Sequence, residues 1–341
     1  MAELINKISN IKVIEVTDDF LLGVKGYKIL KYPFSKNKWE FYAKVEDPIH
    51  AFCSRFRMVR RLLRAEITKY YNFSSGSELC IARKGIFRRD PKDGVFKKTF
   101  DVKRGSRPMN ICEDVDGKIY FGEYFANWDL LPIHIYCSSD GGKTWNIVYT
   151  FEQGNINHIH GIYMDPYTKK MWIVTGDREN ECVIGYTEDG FKTIKEVFRG
   201  GQDYRSCILL FYKDFIVYAT DSQYQTNYIK KFDRLTHKIE ILSEIQGPVI
   251  RGSQCGNVSV ISSDVEPSDV LTETKSYVWY TRDGIHWDIL CSAEKDYWHK
   301  AYFQFGIYDL PAYHKQKPLE EVYVTGKALK VIDNKTLVYK I

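Results

Sequence analysis

Seven short apolar runs, each closing on a charged or glycine-rich turn, punctuate a chain in which apolar and polar residues otherwise tend to alternate. They are Phe20–Gly26, Glu78–Gly85, Ile119–Tyr124, Met171–Asp177, Phe215–Asp221, Val258–Asp264 and Val322–Lys327. Runs this short, rich in β-branched and aromatic side chains, read as buried strands, and the alternating segments between them read as half-buried ones. A recurring unit of about 40 residues with four short strands is the pattern of a propeller blade. The spacing predicts blades at about 11–46, 67–102, 107–151, 158–199, 203–245, 247–292 and 300–341. The expected fold is all-β: one seven-bladed β-propeller over residues 1–341, with six blades as the alternative. One segment departs from this pattern. Phe52, Phe56, Val59, Leu63 and Ala65 fall near helical spacing, which predicts a short helical insertion over about residues 50–66.

Composition agrees with a packed β-protein: 44% of residues are apolar and 15% aromatic. The net charge of +5 arises from 49 basic and 44 acidic residues, and much of the excess precedes residue 110, in Arg55, Arg57, Arg60, Arg61, Arg64, Arg88, Arg89, Lys103 and Arg104. Such a skew either draws an anionic polymer or is a solvated basic face. No helix-turn-helix, zinc-finger or RNA-recognition pattern accompanies it, so no nucleic-acid partner is expected. The eight cysteines fall about one per predicted blade with no CxxC pair, as small apolar residues do in a reducing compartment. Neither a signal-peptide pattern nor an 18-residue apolar run occurs, so the expectation is a cytoplasmic protein without membrane insertion.

The turn Ser138-Ser-Asp140-Gly-Gly142-Lys-Thr144-Trp145 has the spacing Ser-x-Asp-x-Gly-x-Thr-Trp, and partial copies follow at Thr187–Thr193 and Thr281–Trp287. On these residues the chain resembles the sialidase-like Asp-box (BNR-repeat) β-propellers. The resemblance implies that Asp140, Asp189 and Asp283 are structural and lie away from the ligand face. The Phe-Arg-Ile-Pro-like segment of sialidases has no counterpart; the nearest stretch, Ser106-Arg107-Pro108-Met109, lacks its spacing. No arginine triad or catalytic Tyr/Glu pair is therefore carried over. Members of this fold include polysaccharide lyases and non-catalytic assembly factors as well as sialidases.

In a propeller, the segment where the chain enters a blade shares a face with the turn between that blade's second and third strands. The first set supplies Arg64, Arg107, His158, His160 and Arg205; the second supplies Glu123, Asp177, Asp221 and Glu266. His158 and His160, two apart on a strand, point to one side. They can ligate a divalent cation, one of them can serve as a base, or both can be structural. No other cofactor is called for. The catalytic candidates are His158, His160, Glu123, Asp177, Asp221 and Glu266. Arg107, Arg205, Arg64, Gln202 and Tyr124 are the substrate-binding candidates, because guanidinium groups bind carboxylates and sulfates bidentately.

Phosphate-binding and dinucleotide-binding glycine motifs and the Gly-x-Ser-x-Gly elbow are absent from the sequence. The expected function is that of a carbohydrate-active enzyme, a polysaccharide lyase or glycoside hydrolase, acting on an acidic, carboxylate-bearing oligosaccharide or polysaccharide. A non-catalytic propeller binding a glycan or a protein is the alternative.

Overall fold

The computed structural model describes every residue except Met1, Pro267, Asp269 and Leu271. The chain forms two compact units, a smaller one of residues 67–213 and a larger one of residues 1–66 and 214–341.

The smaller unit contains three runs of four antiparallel strands, each paired in chain order as a meander. The first runs Lys69–Asn72, Glu78–Ala82, Gly85–Arg89 and Val95–Asp101. The second runs Cys112–Glu113, Ile119–Gly122, Ile133–Ser138 and Asn146–Phe151. The third runs His158–Met164, Met171–Gly176, Cys182–Thr187 and Lys195–Gly200. Burial falls from the second strand of each run, where every residue is buried, to the fourth, where nearly every residue is half-buried or exposed. The sheets pack through apolar clusters, one joining Leu79, Ile81 and Ile86 to Ile119 and Phe121, another joining Ile133 and Ile135 to Ile159, Ile162 and Ile173. Strands covered on both sides are mainly apolar, which is why the second strands appear in the sequence as apolar runs.

The larger unit repeats the pattern. Val249–Cys255, Val258–Ser263, Lys275–Thr281 and Asp288–Glu294 form one sheet, and Lys12–Thr17, Phe20–Lys25, Lys28–Pro33 and Glu40–Val45 lie side by side in another, with Ala312–His314 added parallel to Lys12–Thr17. Phe215–Ala219 pairs with Asn227–Asp233 and that with Ile239–Ile245. A further sheet joins the chain ends: Ile307–Asp309, Glu321–Lys327 and Lys335–Lys340 are completed by Glu3–Ser9, which pairs from Glu3 opposite Lys340 to Ser9 opposite Lys335 with one slip at Ile5. All seven apolar runs of the sequence thus contain strands. The blade boundaries predicted from sequence begin at residue 11 and miss the Glu3–Ser9 strand, whose side chains are mostly exposed and whose partner is at the other end of the chain.

The outer strands share a defect. Between the third and fourth strands of six four-strand runs the register slips by one, leaving Tyr42, Thr99, Val148, Val197, Leu242 and Leu290 without an opposite residue. Each is a β-bulge, which bends the strand and sharpens its twist.

The helical insertion differs from its expectation. It is two short helices, Pro48–Cys53 and Arg57–Leu63, and not one. Asp47 caps the first, accepting from the His50 N–H at 3.1 Å, and Arg64 ends the second in the left-handed region at φ 52. Phe52 and Phe56, which the sequence places at helical spacing, are 58% and 53% exposed, and the insertion's deeply buried long side chain is Arg61, at 1%. Asp296 supplies the reason. It pairs with the Arg61 guanidinium, which also donates to the Phe303 carbonyl at 2.5 Å and 2.9 Å and lies 4.6 Å from the Trp298 ring. Among the described residues no helix is long and apolar enough to cross a membrane.

Candidate functional site

In the third sheet of the smaller unit, Ile159 lies opposite Thr175 and Gly161 opposite Val174, so His160 is the extra residue of a bulge in the first strand. A bulge re-aims a side chain, and here it carries the His160 ring over Gly176. A Cβ at Gly176 would lie 2.5 Å from His160 Cε1, so only glycine leaves room for the ring. The turn after Gly176 presents Asp177, whose carboxylate lies 3.0 Å from His160 Nε2 and 3.3 Å from His158 Nε2. The two Nε2 atoms are 3.0 Å apart.

The other ring nitrogens fix the tautomers. His158 Nδ1 is 2.9 Å from the Phe125 carbonyl and His160 Nδ1 is 3.0 Å from the Ser206 carbonyl. A carbonyl oxygen can only accept, so both Nδ1 atoms carry hydrogen and donate it. In the neutral rings both Nε2 lone pairs therefore turn toward each other and toward Asp177. Three acceptors meet with no proton of their own between them, an arrangement that draws in a positive charge. The three groups have the ligand types and mutual spacing of a metal centre, and backbone carbonyls on the far nitrogens are the usual support for histidine ligands.

Arg205 Nη2 approaches the same carboxylate at 3.0 Å, and Gln202 Nε2 donates to the Asp177 carbonyl at 2.7 Å. Burial alone would raise the Asp177 pKa, but once His158 and His160 carry a second proton, on Nε2, their hydrogen bonds and charge hold it well below the ordinary carboxylate range. His160 moves down from the usual imidazole value because its burial outweighs the pull of Asp177. The two histidines are buried, whereas 27% of the Asp177 side chain remains exposed, so solvent reaches the cluster from that side.

Tyr124 links this cluster to a cleft. Its ring centroid is 4.3 Å from that of His158, and it lines a cavity of about 500 Å³ together with Lys103, Arg104, Arg107 and Glu123. Glu123 is committed within that wall. It pairs with the Arg104 guanidinium and accepts from the His134 N–H at 2.9 Å.

Of the sequence-derived candidates, His158, His160, Asp177, Arg205, Gln202 and Tyr124 are thus brought together, with Glu123 and Arg107 in the adjoining cleft. Asp221, Glu266 and Arg64 belong to the larger unit. There Glu266 accepts from Gln223 Nε2 at 2.6 Å and is accompanied by Asp264, which in the sequence is only the polar end of an apolar run. Asp264 is 2% exposed, and neither of its oxygens meets a hydrogen-bond donor among the described residues. Burial, followed by the charges of Glu266 and Asp221, pushes its pKa well above the carboxylate range. Its equivalence to Asp177 and Asp221, each closing a second strand, was the available signal.

The Asp-centred turns lie apart from this chemistry, at the junctions of third and fourth strands. Asp140 Oδ1 accepts from the Lys143 and Thr144 N–H groups, both at 2.9 Å, and its Oδ2 accepts from the Thr144 hydroxyl at 2.6 Å. These bonds bring its pKa down to about 2 against the desolvation that opposes them. Asp189 repeats the arrangement, whereas Asp283 closes a turn one residue shorter, accepting from the Ile285 and His286 N–H groups.

No protein-family model matches the chain, and no curated protein matches it. Among solved structures it is similar to a chain of the crystal structure of a mitotic checkpoint complex, with 6% identity and a TM-score of 0.58 over 99% of this chain and 94% of that one. That chain is a WD40 β-propeller, and at this identity the likeness establishes the fold alone: the protein is an all-β chain of propeller type.

Proposed function

We propose that the protein is a seven-bladed propeller of the Asp-box class and a carbohydrate-active enzyme that cleaves an acidic glycan by proton abstraction next to a carboxylate. The observation that carries this reading is the meeting of two Nε2 lone pairs and the Asp177 carboxylate beside a cation-lined cleft. Two Asp turns with the same hydrogen bonding, at Asp140 and Asp189, and a third, shorter one at Asp283 support the class.

In this reading Lys103 and Arg107 hold the uronate carboxylate, which acidifies the neighbouring C–H. The His158–His160 pair takes that proton at Nε2, and Asp177 stabilises the imidazolium formed. The C–H electrons form the C4=C5 double bond as the C4–O bond breaks, and Tyr124 protonates the departing oxygen. Hydrolysis is less favoured in the smaller unit. Asp177 stays ionised and Glu123 is engaged by Arg104, so neither carboxyl is placed to donate a proton. Arg205 acts through Asp177 as a positioning residue.

A second reading rests on the same ligand set: a divalent cation on His158 Nε2, His160 Nε2 and Asp177, neutralising the substrate carboxylate as a Lewis acid. The test is a panel of acidic oligosaccharides followed by the absorbance of unsaturated uronates, with His160→Ala and chelator-treated protein alongside. Product lost in the variant but kept after chelation supports the histidine base, and loss in both supports the cation. Absence of product from every substrate, with glycan still bound, would replace the enzyme by a binding propeller.

A further inference from the structure

The larger unit holds a cavity of about 980 Å³ between the Phe20–Lys25, Lys28–Pro33 and Glu40–Val45 strands and the helical insertion. Its wall is cationic. Asp333 is the acidic residue lining it, and Arg57 and Arg60 take up that carboxylate. Five further cations, Lys25, Lys28, Lys44, Arg55 and Lys335, line the same space, and among the described residues none of them has a carboxylate partner.

The strand register makes this costly. Lys25 lies opposite Lys28 across the Gly26–Tyr27 turn, and Lys28 lies opposite Lys44 on the next strand. Like charges directly opposite destabilise a sheet, and here three lysines stand in a row. A basic face that served only solubility would intersperse acids, as the exposed strand Lys195–Gly200 does with Glu196 and Arg199. The row is also concave and backed by Tyr27 and Ala51, so it can enclose a small ligand.

We propose that this cavity binds a small molecule carrying two or more phosphate groups. The volume suits a ligand of nucleotide size. The lysines act as point charges for separate phosphates, and Arg55 adds a bidentate fork. This site stands independently of the histidine cluster, which lies in the other unit.

The test is calorimetric titration of the whole protein with inorganic pyrophosphate, orthophosphate and a nucleoside diphosphate at two salt concentrations. The expected result is saturable binding of pyrophosphate at one site, at least tenfold tighter than orthophosphate and weakened by salt. Lys28→Ser and Arg55→Ser should each reduce affinity tenfold or more, whereas Lys192→Ser, an exposed lysine of the smaller unit, should not. A nucleoside diphosphate that binds tighter than pyrophosphate would add a base-binding wall to the site, and equal affinities would confine recognition to the phosphates. Ligand-free Lys28→Ser should melt higher than the parent, since it relieves the repulsion. Equal losses in Lys192→Ser, no preference for pyrophosphate over orthophosphate, or binding of a DNA oligonucleotide without pyrophosphate binding would each overturn the proposal.

Discussion

At the residue scale, the chemistry of the smaller unit turns on where two protons are not. Each Nδ1–H is spent on a backbone carbonyl, at 2.9 Å and 3.0 Å, and the Nε2 atoms are left facing a carboxylate. Asp177→Asn removes the negative charge that favours the imidazolium. Under the proposed lyase function, turnover should fall by about two orders of magnitude or more, the usual scale for a group assisting proton transfer. The pH profile supplies the sign. His160 must be unprotonated to accept, and its pKa lies below the ordinary 6.5. Activity should therefore persist below pH 6.5 in the parent and decline only as the pH drops through the lowered value. In Asp177→Asn the decline should move further toward acid, since one contribution that raised the histidine pKa is gone. A profile that does not move would place the carboxylate outside the proton-transfer group. The i, i+2 histidines and the Gly-Asp turn were legible in the sequence. The bulge that aims His160 was not, because a register slip leaves no mark in residue order. Asp264 escaped for a related reason: a carboxyl buried without donors looks, in sequence, like any polar strand end.

At the element scale, the strands were easier to read than the insertion. A strand covered on both faces is mainly apolar along its length, so Met171–Gly176 and Phe215–Ala219 announce themselves. The insertion follows a different rule. Its apolar positions match a helical period, yet Phe52, Phe56, Met58 and Leu62 are exposed, and a guanidinium is buried in their place. Periodicity weighs hydrophobicity, whereas Arg61 is held by a carboxylate and a carbonyl that lie some 240 positions away in the chain. Arg61→Ala should destabilise the protein by roughly 3–5 kcal/mol, because Asp296 would stay buried with part of its charge uncompensated. Thermal unfolding checks this, and the double variant with Asp296→Ala should recover part of the loss. Equal stability of parent and single variant would mean that Lys295, which also pairs with Asp296, suffices.

At the scale of the whole molecule, the larger unit is assembled from two pieces of chain, and Glu3–Ser9 ties its beginning to its end. The strand is mostly exposed and contributes mainly backbone hydrogen bonds to Lys335–Lys340, with little apolar burial. That pairing spans nearly the entire sequence, so it carries a large loop-closure entropy and should form late in folding. Removing residues 2–9 should lower the melting temperature by roughly 5–10 °C, the scale of a few kcal/mol in a protein this large. An unchanged melting temperature would show that the last sheet stands on its three remaining strands.

The slipped register of the outer strands has a bearing on how such a protein survives at high concentration. Asn146–Phe151, Lys195–Gly200, Ile239–Ile245 and Asp288–Glu294 each end a sheet, with a row of backbone donors and acceptors that another chain could extend. Val148, Val197, Leu242 and Leu290 break that row in the middle. A second molecule docking edge to edge would find its ladder out of step after two or three residues. The same irregularity that curls each sheet would then keep neighbouring molecules from zipping into fibres.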